Sequence, residues 1–175
     1  MYILSQKLLK TCASEPITTS NLYCPNGHIT DRNPSPTSNC ELIIFGGPSL
    51  QACVDNFSFE TAAKCSTCNV SLSRVTTFVQ TPPLLAFDLG KDAPFLDPGL
   101  WISCQDTRVH YSLRGIIYFE NSHFTERVIT RTGMVWFHDG MFTGRSLLHE
   151  TNNMTLISRD HAVMAFYSRD PIENL

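Results

Sequence analysis

Over the last two thirds of this chain, apolar and polar positions alternate with the period of two that a half-buried strand requires. Residues 69–79 set Val70, Leu72 and Val75 against Ser71, Ser73 and Arg74, and read as a strand. Pro82-Pro83 opens Leu84-Leu85-Ala86-Phe87-Asp88-Leu89, a run with the look of a buried strand. Further strands are expected at 100–103, 109–119, 124–130, 134–137 and 162–167. Turn chemistry separates several of them: Glu120-Asn121-Ser122, Arg131-Thr132-Gly133 and Asp139-Gly140. Residues 41–45 form one more short apolar strand, stopped by Gly46-Gly47-Pro48. A weak helical pattern covers residues 2–12, where Ile3, Leu4, Leu8 and Leu9 lie near one face. Residues 11–39 are rich in Ser, Thr, Pro and Asn and read as loop, as do residues 91–98. The pattern predicts a mainly β fold built on an antiparallel sheet, with little helix.

Length and charge narrow the function. A chain of 175 residues fits a single domain, 1–175, and can bury roughly 70% of its unfolded surface. Its net charge of -3 and pI near 6.0, with no run of Lys or Arg, give no electrostatic case for nucleic acid or an anionic membrane. The opening MYILSQKLLKTCASEP has too short an apolar run for a secretory signal, and Lys7 and Lys10 interrupt it. No stretch approaches the ~18 apolar residues of a membrane span. A cytoplasmic or nuclear protein is the expectation, and seven cysteines then do not imply a disulfide framework.

The cysteines instead suggest a metal. Cys65-Ser66-Thr67-Cys68 is a C-x-x-C knuckle, and Cys24 precedes His28 with three residues between. Zinc takes four soft or borderline ligands in a tetrahedron, often as two close pairs on two turns. Cys24, His28, Cys65 and Cys68 make such a set, clipping the ends of a β-ribbon with structural zinc. Cys40 or Cys53 in place of His28 stays open. A redox reading of the same knuckle needs a βαβ setting, which the pattern does not contain.

Residues 111–139, YSLRGIIYFENSHFTERVITRTGMVWFHD, carry the remaining chemistry. An apolar strand leads to His123, and a second strand and turn lead to an aromatic pair ending on Asp139. A His and an Asp on neighbouring strand ends are what a hydrolase uses to activate a nucleophile. The bland alternative makes His123 a solvated turn residue and Asp139-Gly140 an ordinary turn.

The order of these elements resembles the C-terminal part of the ubiquitin-specific protease family, papain-like cysteine peptidases. The resemblance rests on Tyr111-Ser112-Leu113-Arg114-Gly115-Ile116-Ile117, Ser122-His123-Phe124, Trp136-Phe137-His138-Asp139 and Ala162-Val163-Met164-Ala165-Phe166-Tyr167. Upstream it includes the Cys65–Cys68 knuckle and the strand after Pro82-Pro83. It implies a fingers-like zinc segment over 20–80, a palm-like sheet over 81–175, and ubiquitin or a ubiquitin-like protein as partner. His123 would be the general base and Asp139 the group that orients it by accepting its Nδ1–H bond. His138 occupies the place where the family has its orienting Asn or Asp, and is the competing orienter. Ser122 and Phe124 stand where the family has Gly and Tyr.

The family's nucleophile box is missing. Lys10-Thr11-Cys12-Ala13 shares only Thr-Cys with it, and Cys12 lies too close to Cys24 to leave room for a helical thumb. Cys104 reads as a core or edge residue of a strand. The expectation is therefore a fragment of a deubiquitinating thiol hydrolase or a catalytically silent homologue. The alternative is a zinc-stabilised β-rich interaction module, and the discriminator is whether His123 and Asp139 meet in a groove.

Overall fold

The computed structural model describes residues 15–30, 34–38, 41–44, 47–90, 93–154 and 157–170. The helical pattern at 2–12, Cys12 and Cys40 lie outside them. Along the described chain run β1 (Thr18–Tyr23), β2 (Ser35–Thr37), β3 (Glu41–Ile43), α1 (Leu50–Asp55), β4 (Ser58–Lys64), β5 (Ser71–Phe78) and β6 (Leu84–Asp88). β7 (Gly99–Cys104), β8 (Thr107–Glu120), β9 (His123–Ile129), β10 (Val135–His138), β11 (Leu148–Thr151) and β12 (Ala162–Arg169) follow. The fold is mainly β, as the alternation predicts. No described helix is long and apolar enough to cross a membrane.

β8 organises the main sheet because it is long enough to serve three neighbours. Its first half pairs with β7, its second half with β9, and its middle with β12. β12 continues to β6, and β9 continues through β10 to β11. The pairing is antiparallel except where β3 joins β6 and where β5 touches β7, so the sheet is mixed. Inward positions on β8 are Tyr111 and Leu113, then Ile116 and Tyr118. The change of parity falls where the register with β12 slips from Leu113↔Tyr167 to Gly115↔Phe166. A bulge there resets the alternation and keeps the second half facing the core. Leu85, Phe87, Ala165 and Tyr167 complete this core. The buried phenols donate to backbone carbonyls, Tyr111 to Pro82 at 2.6 Å and Tyr167 to Asp97 at 2.7 Å. Neither hydroxyl is left unsatisfied in an apolar setting.

A ribbon of β1, β2, β4 and β5 extends from this sheet. Part of the polar run 11–39, expected as loop, is strand here. Only Thr18 in β1 is buried, so β1 offers little apolar face to hold register. Cross-strand polar pairs such as Ser20 Oγ and Thr76 Oγ1, 2.9 Å apart, serve instead. α1 has one turn and a half, capped by Ser49 Oγ accepting from Ala52 N–H. Six residues are too few for a helical period to stand out in the sequence.

The end of β12 is tied to β8 by a polar clip. Asp170 accepts from His110 Nδ1 at 2.6 Å and Ser112 Oγ at 2.8 Å, with Arg114 at 3.4 Å. Burial raises the Asp170 carboxyl, and the bonds from His110 and Ser112 more than offset it, leaving it below the usual carboxylate range. The His110 ring also packs on Trp101, 4.8 Å between centroids, and so is pinned over Gly99. A Cβ at Gly99 would come 2.4 Å from His110 Nε2. Gly99→Ala is therefore expected to destabilise the chain by about 1–3 kcal/mol, read by urea unfolding, because the ring cannot move without losing Asp170.

Candidate functional site

Two sites emerge. The first is at the tip of the ribbon, where the turn after β1 supplies Cys24 and His28, and the β4–β5 turn supplies Cys65 and Cys68. Cys24 Sγ lies 3.5 Å from both His28 Nδ1 and Cys68 Sγ, and Cys65 Sγ lies 3.7 Å from His28 Nδ1. All four ligand atoms fall within 4.8 Å of one another. Sulfurs about 2.3 Å from one zinc ion at tetrahedral corners stand about 3.8 Å apart, so a donor set gathered within 4.8 Å is compatible with a zinc site. Cys53 is buried in the main core on α1 and is not part of this group, so among the described residues His28 is the fourth member, while Cys40 lies outside them.

The knuckle backbone prepares the thiols. N–H groups of Cys68 and Thr67 point at Cys65 and hold its thiol down at about 6. The Val70 N–H lowers Cys68 in the same way, whereas burial raises Cys24. The left-handed Asn69, φ 57°, turns the chain so that these amides converge. Bonds to Cys68 and Cys65 raise His28.

The second site is built by two hairpins. Asn121 and Ser122, φ 49° and 63°, form a two-residue turn of the type that suits strand twist, and place His123 opposite Glu120. β10 then pairs Phe137 with Arg127 and His138 with Glu126. By strand parity, Phe137 and Asp139 face the side that carries Arg127, Thr125 and His123. His138 and Glu126 face the other side.

The structure accordingly brings Asp139 to His123, with Asp139 Oδ1 at 2.9 Å from His123 Nε2. The nitrogen differs from the expectation: Nε2, not Nδ1, meets the carboxylate. The Nδ1 atom is thus the one available to a reacting group. Asp139 Oδ1 also accepts from Met141 N–H at 2.8 Å and Phe142 N–H at 3.2 Å. Burial alone would raise this carboxyl. The bonds from His123, Met141 and Phe142 overcome that and hold it below the ordinary carboxylate range. Such a carboxylate can fix the ring's tautomer and stabilise its charged form.

His123 opens on a groove of about 450 Å³, lined by Tyr118, Glu120, Thr125, Arg127, Phe137 and His161 among others. Arg127 is locked by Glu150 at 2.7 Å and lies over the Tyr118 ring at 4.7 Å. Glu120 and His161 face each other at 3.4 Å across the mouth. The sequence reading missed Glu120, Arg127 and His161. For Glu120 and Arg127 the signal was parity with His123 on β8 and β9, readable only once the register was known, whereas His161 lies in the turn before β12 and has no such signal. None of the described cysteines lines this groove.

No family model matches the sequence, and no curated protein matches it. Solved structures do share its fold. A structure of the Ubp8-Sgf11-Sgf73-Sus1 SAGA DUB module aligns over 94% of this chain and 41% of that one, with TM-score 0.65 and 16% identity. A yeast SAGA DUB module carrying an Sgf73 mutant aligns over 91% and 41%, with TM-score 0.63 and 15% identity. The module bound to ubiquitin aldehyde aligns over 98% and 46%, with TM-score 0.58 and 15% identity. The present chain thus spans less than half the length of these chains, and the likeness is one of fold.

Proposed function

We propose that this chain is a ubiquitin-specific-protease-like domain carrying the base-and-orienter half of a thiol hydrolase site. The observation that carries the reading is the 2.9 Å contact of His123 Nε2 with Asp139 Oδ1, at the edge of a groove. A plain interaction module would permit any separation of these side chains. Likeness in fold to modules solved with ubiquitin aldehyde supports the same direction.

In this reading a thiolate attacks the carbonyl of a C-terminal Gly peptide or isopeptide bond of ubiquitin or a ubiquitin-like protein. His123 takes the thiol proton at Nδ1 and returns it to the leaving amine, while Asp139 holds the ring through Nε2. Water then hydrolyses the acyl-enzyme. The thiol comes from outside the described cysteines. Cys24, His28, Cys65 and Cys68 hold zinc when it is bound, and the metal's part is to brace the ribbon. The 20–80 segment acts as fingers and 81–175 as palm, and the protein works in the cytoplasm or nucleus.

The test is titration of the zinc-loaded, ¹⁵N-labelled chain with ubiquitin. The expected result is saturable shifts at His123, Thr125 and Arg127 and along the ribbon. Shifts confined to the metal tip, or none, would return the chain to the interaction-module reading.

A further inference from the structure

We propose that Asn26 is a spontaneous deamidation site, held off while the ribbon tip is closed and keeping the tip from re-closing once it has reacted. The chemistry involves the metal group and no part of the hydrolase reading. Of the asparagines in the chain, Asn26 alone is followed by glycine. With no Cβ, a glycine leaves its own nitrogen unhindered and its backbone free to turn as a ring closes on it. Both residues are exposed in the turn between Cys24 and His28, where Gly27 has φ 76°. Gly27 N attacks Asn26 Cγ and loses its proton. The Cγ–Nδ2 bond breaks, and Nδ2 takes up a proton and leaves as ammonia. Water then opens the resulting five-membered imide at either carbonyl, leaving aspartate or isoaspartate at position 26. The sum is amide plus water giving carboxylate plus ammonium, with no oxidant and no cofactor.

Both reacting groups are engaged in the closed tip. Gly27 N–H donates to Cys24 O at 2.9 Å, so the attacking nitrogen must first give up that bond. Asn26 Nδ2 donates to Cys68 Sγ at 3.5 Å, which ties the leaving amide to the opposite turn. Each restraint ends on a cysteine of the metal group, so an open tip releases the pair to react. The same contacts make the product damaging. A carboxylate in place of the amide has no hydrogen for Cys68 Sγ and sets a negative charge beside the thiolate ligands. Isoaspartate also adds a methylene to the main chain between Cys24 and His28. That disturbs the turn whose Asn26 and His28 amides favour the Cys24 thiolate against the cost of its burial. Partners that touch a metal's ligands in this way typically carry about 10–100-fold in its affinity.

The test compares zinc-loaded and chelated chain, incubated side by side in mildly alkaline buffer after the zinc uptake of the fresh chain has been measured. Peptide mapping by mass spectrometry follows the mass gain from amide to acid in the fragment that holds Asn26-Gly27. The chelated chain is expected to react at least about tenfold faster, because its turn no longer has to open first. Re-added zinc should return to unreacted molecules and not to deamidated ones, and Asn26→Asp should bind it about 10–100-fold more weakly than the parent. Asn26→Gln, whose longer side chain does not close the five-membered ring, should pass the same incubation without the mass gain and reload in full. Equal rates in the two states overturn the proposal. So does a deamidated chain that reloads like the fresh one, or a loss of reloading that Asn26→Gln shares. The parent's time course and reloading need no variant, so a misfolded mutant does not shield the proposal. A fresh chain that takes up no zinc overturns the ligand set along with it. Failure of ubiquitin to bind the groove would sink the hydrolase reading and leave these outcomes untouched.

Discussion

On chelation of its zinc, the ribbon of β1, β2, β4 and β5 loses amide-exchange protection, while β6, β8 and β12 keep theirs. The ribbon's distal core explains the asymmetry. Its buried residues are Cys24, Cys65 and Leu72, with Leu22, Ala63 and Cys68 packed against them. Half of that cluster is ligand, so without the metal little apolar area is left to close the tip. Structural zinc sites in small modules contribute about 10–16 kcal/mol of apparent binding free energy, far more than one leucine can replace. The main core, with Phe87, Tyr111, Ile116 and Tyr167, does not depend on the tip. The zinc-loaded chain should carry one zinc per chain by mass spectrometry. Cys65→Ser should abolish binding, and Cys53→Ser should leave the stoichiometry unchanged. Retained binding in Cys65→Ser, or loss in Cys53→Ser, would overturn the ligand set. The pH dependence has a definite sign. Cys65 is held at about 6, below its unfolded thiol value, so the stability it contributes to the metal-free tip is lost as pH falls through about 6. Zinc should leave in the same direction, because each thiolate ligand must then compete with a proton.

Much of the main sheet was legible because its strands bury one face and leave the other wet. Alternation located β8, β9, β10 and β12 within a few residues, and the Asn-Ser turn marked the hairpin that delivers His123. Within the ribbon, β5 was legible from its alternation, but β1 and β2 were not: they carry few apolar residues, so Thr18–Tyr23 and Ser35–Thr37 have the composition of a loop. The choice between Asp139 and His138 also lay beyond composition. It depends on whether β10 enters its pairing with β9 at Phe137↔Arg127 or one residue away, and a slip of one exchanges the two faces. The same register gives His138 to Glu126 and Asp139 to His123. Of the two alternatives to His28 as fourth metal donor, Cys53 could not be set aside in sequence because α1, which carries it into the main core, was too short to recognise, and Cys40 lies outside the described residues. Cys65 and Cys68 were legible because their spacing is local and needs no tertiary knowledge.

The chain alone is expected to give no rapid covalent adduct with ubiquitin bearing a thiol-reactive group at its C-terminus. His123 has its Nε2 committed to Asp139, which leaves Nδ1 to take a thiol proton across hydrogen-bond distance. No described cysteine lines the groove on which that nitrogen opens. Three of them belong to the metal group. Cys53 and Cys104 lie in the main core, where burial pushes both thiols up and away from the reactive form. In the proposed reading, a base and its orienter cannot accelerate an attack for which none of the described cysteines is placed. Loss of the nucleophile alone costs about 10⁶ in kcat in a well-studied serine protease, so adduct formation should run at least ~10⁴-fold below that of an intact thiol site. Cys12→Ala should leave this low rate unchanged. Rapid labelling lost in both Cys12→Ala and His123→Ala would show Cys12 reaching Nδ1, making the chain a complete peptidase. Labelling lost in Cys12→Ala but kept in His123→Ala would mark ordinary thiol reactivity away from the groove, because a nucleophile served by His123 must slow when its base is gone.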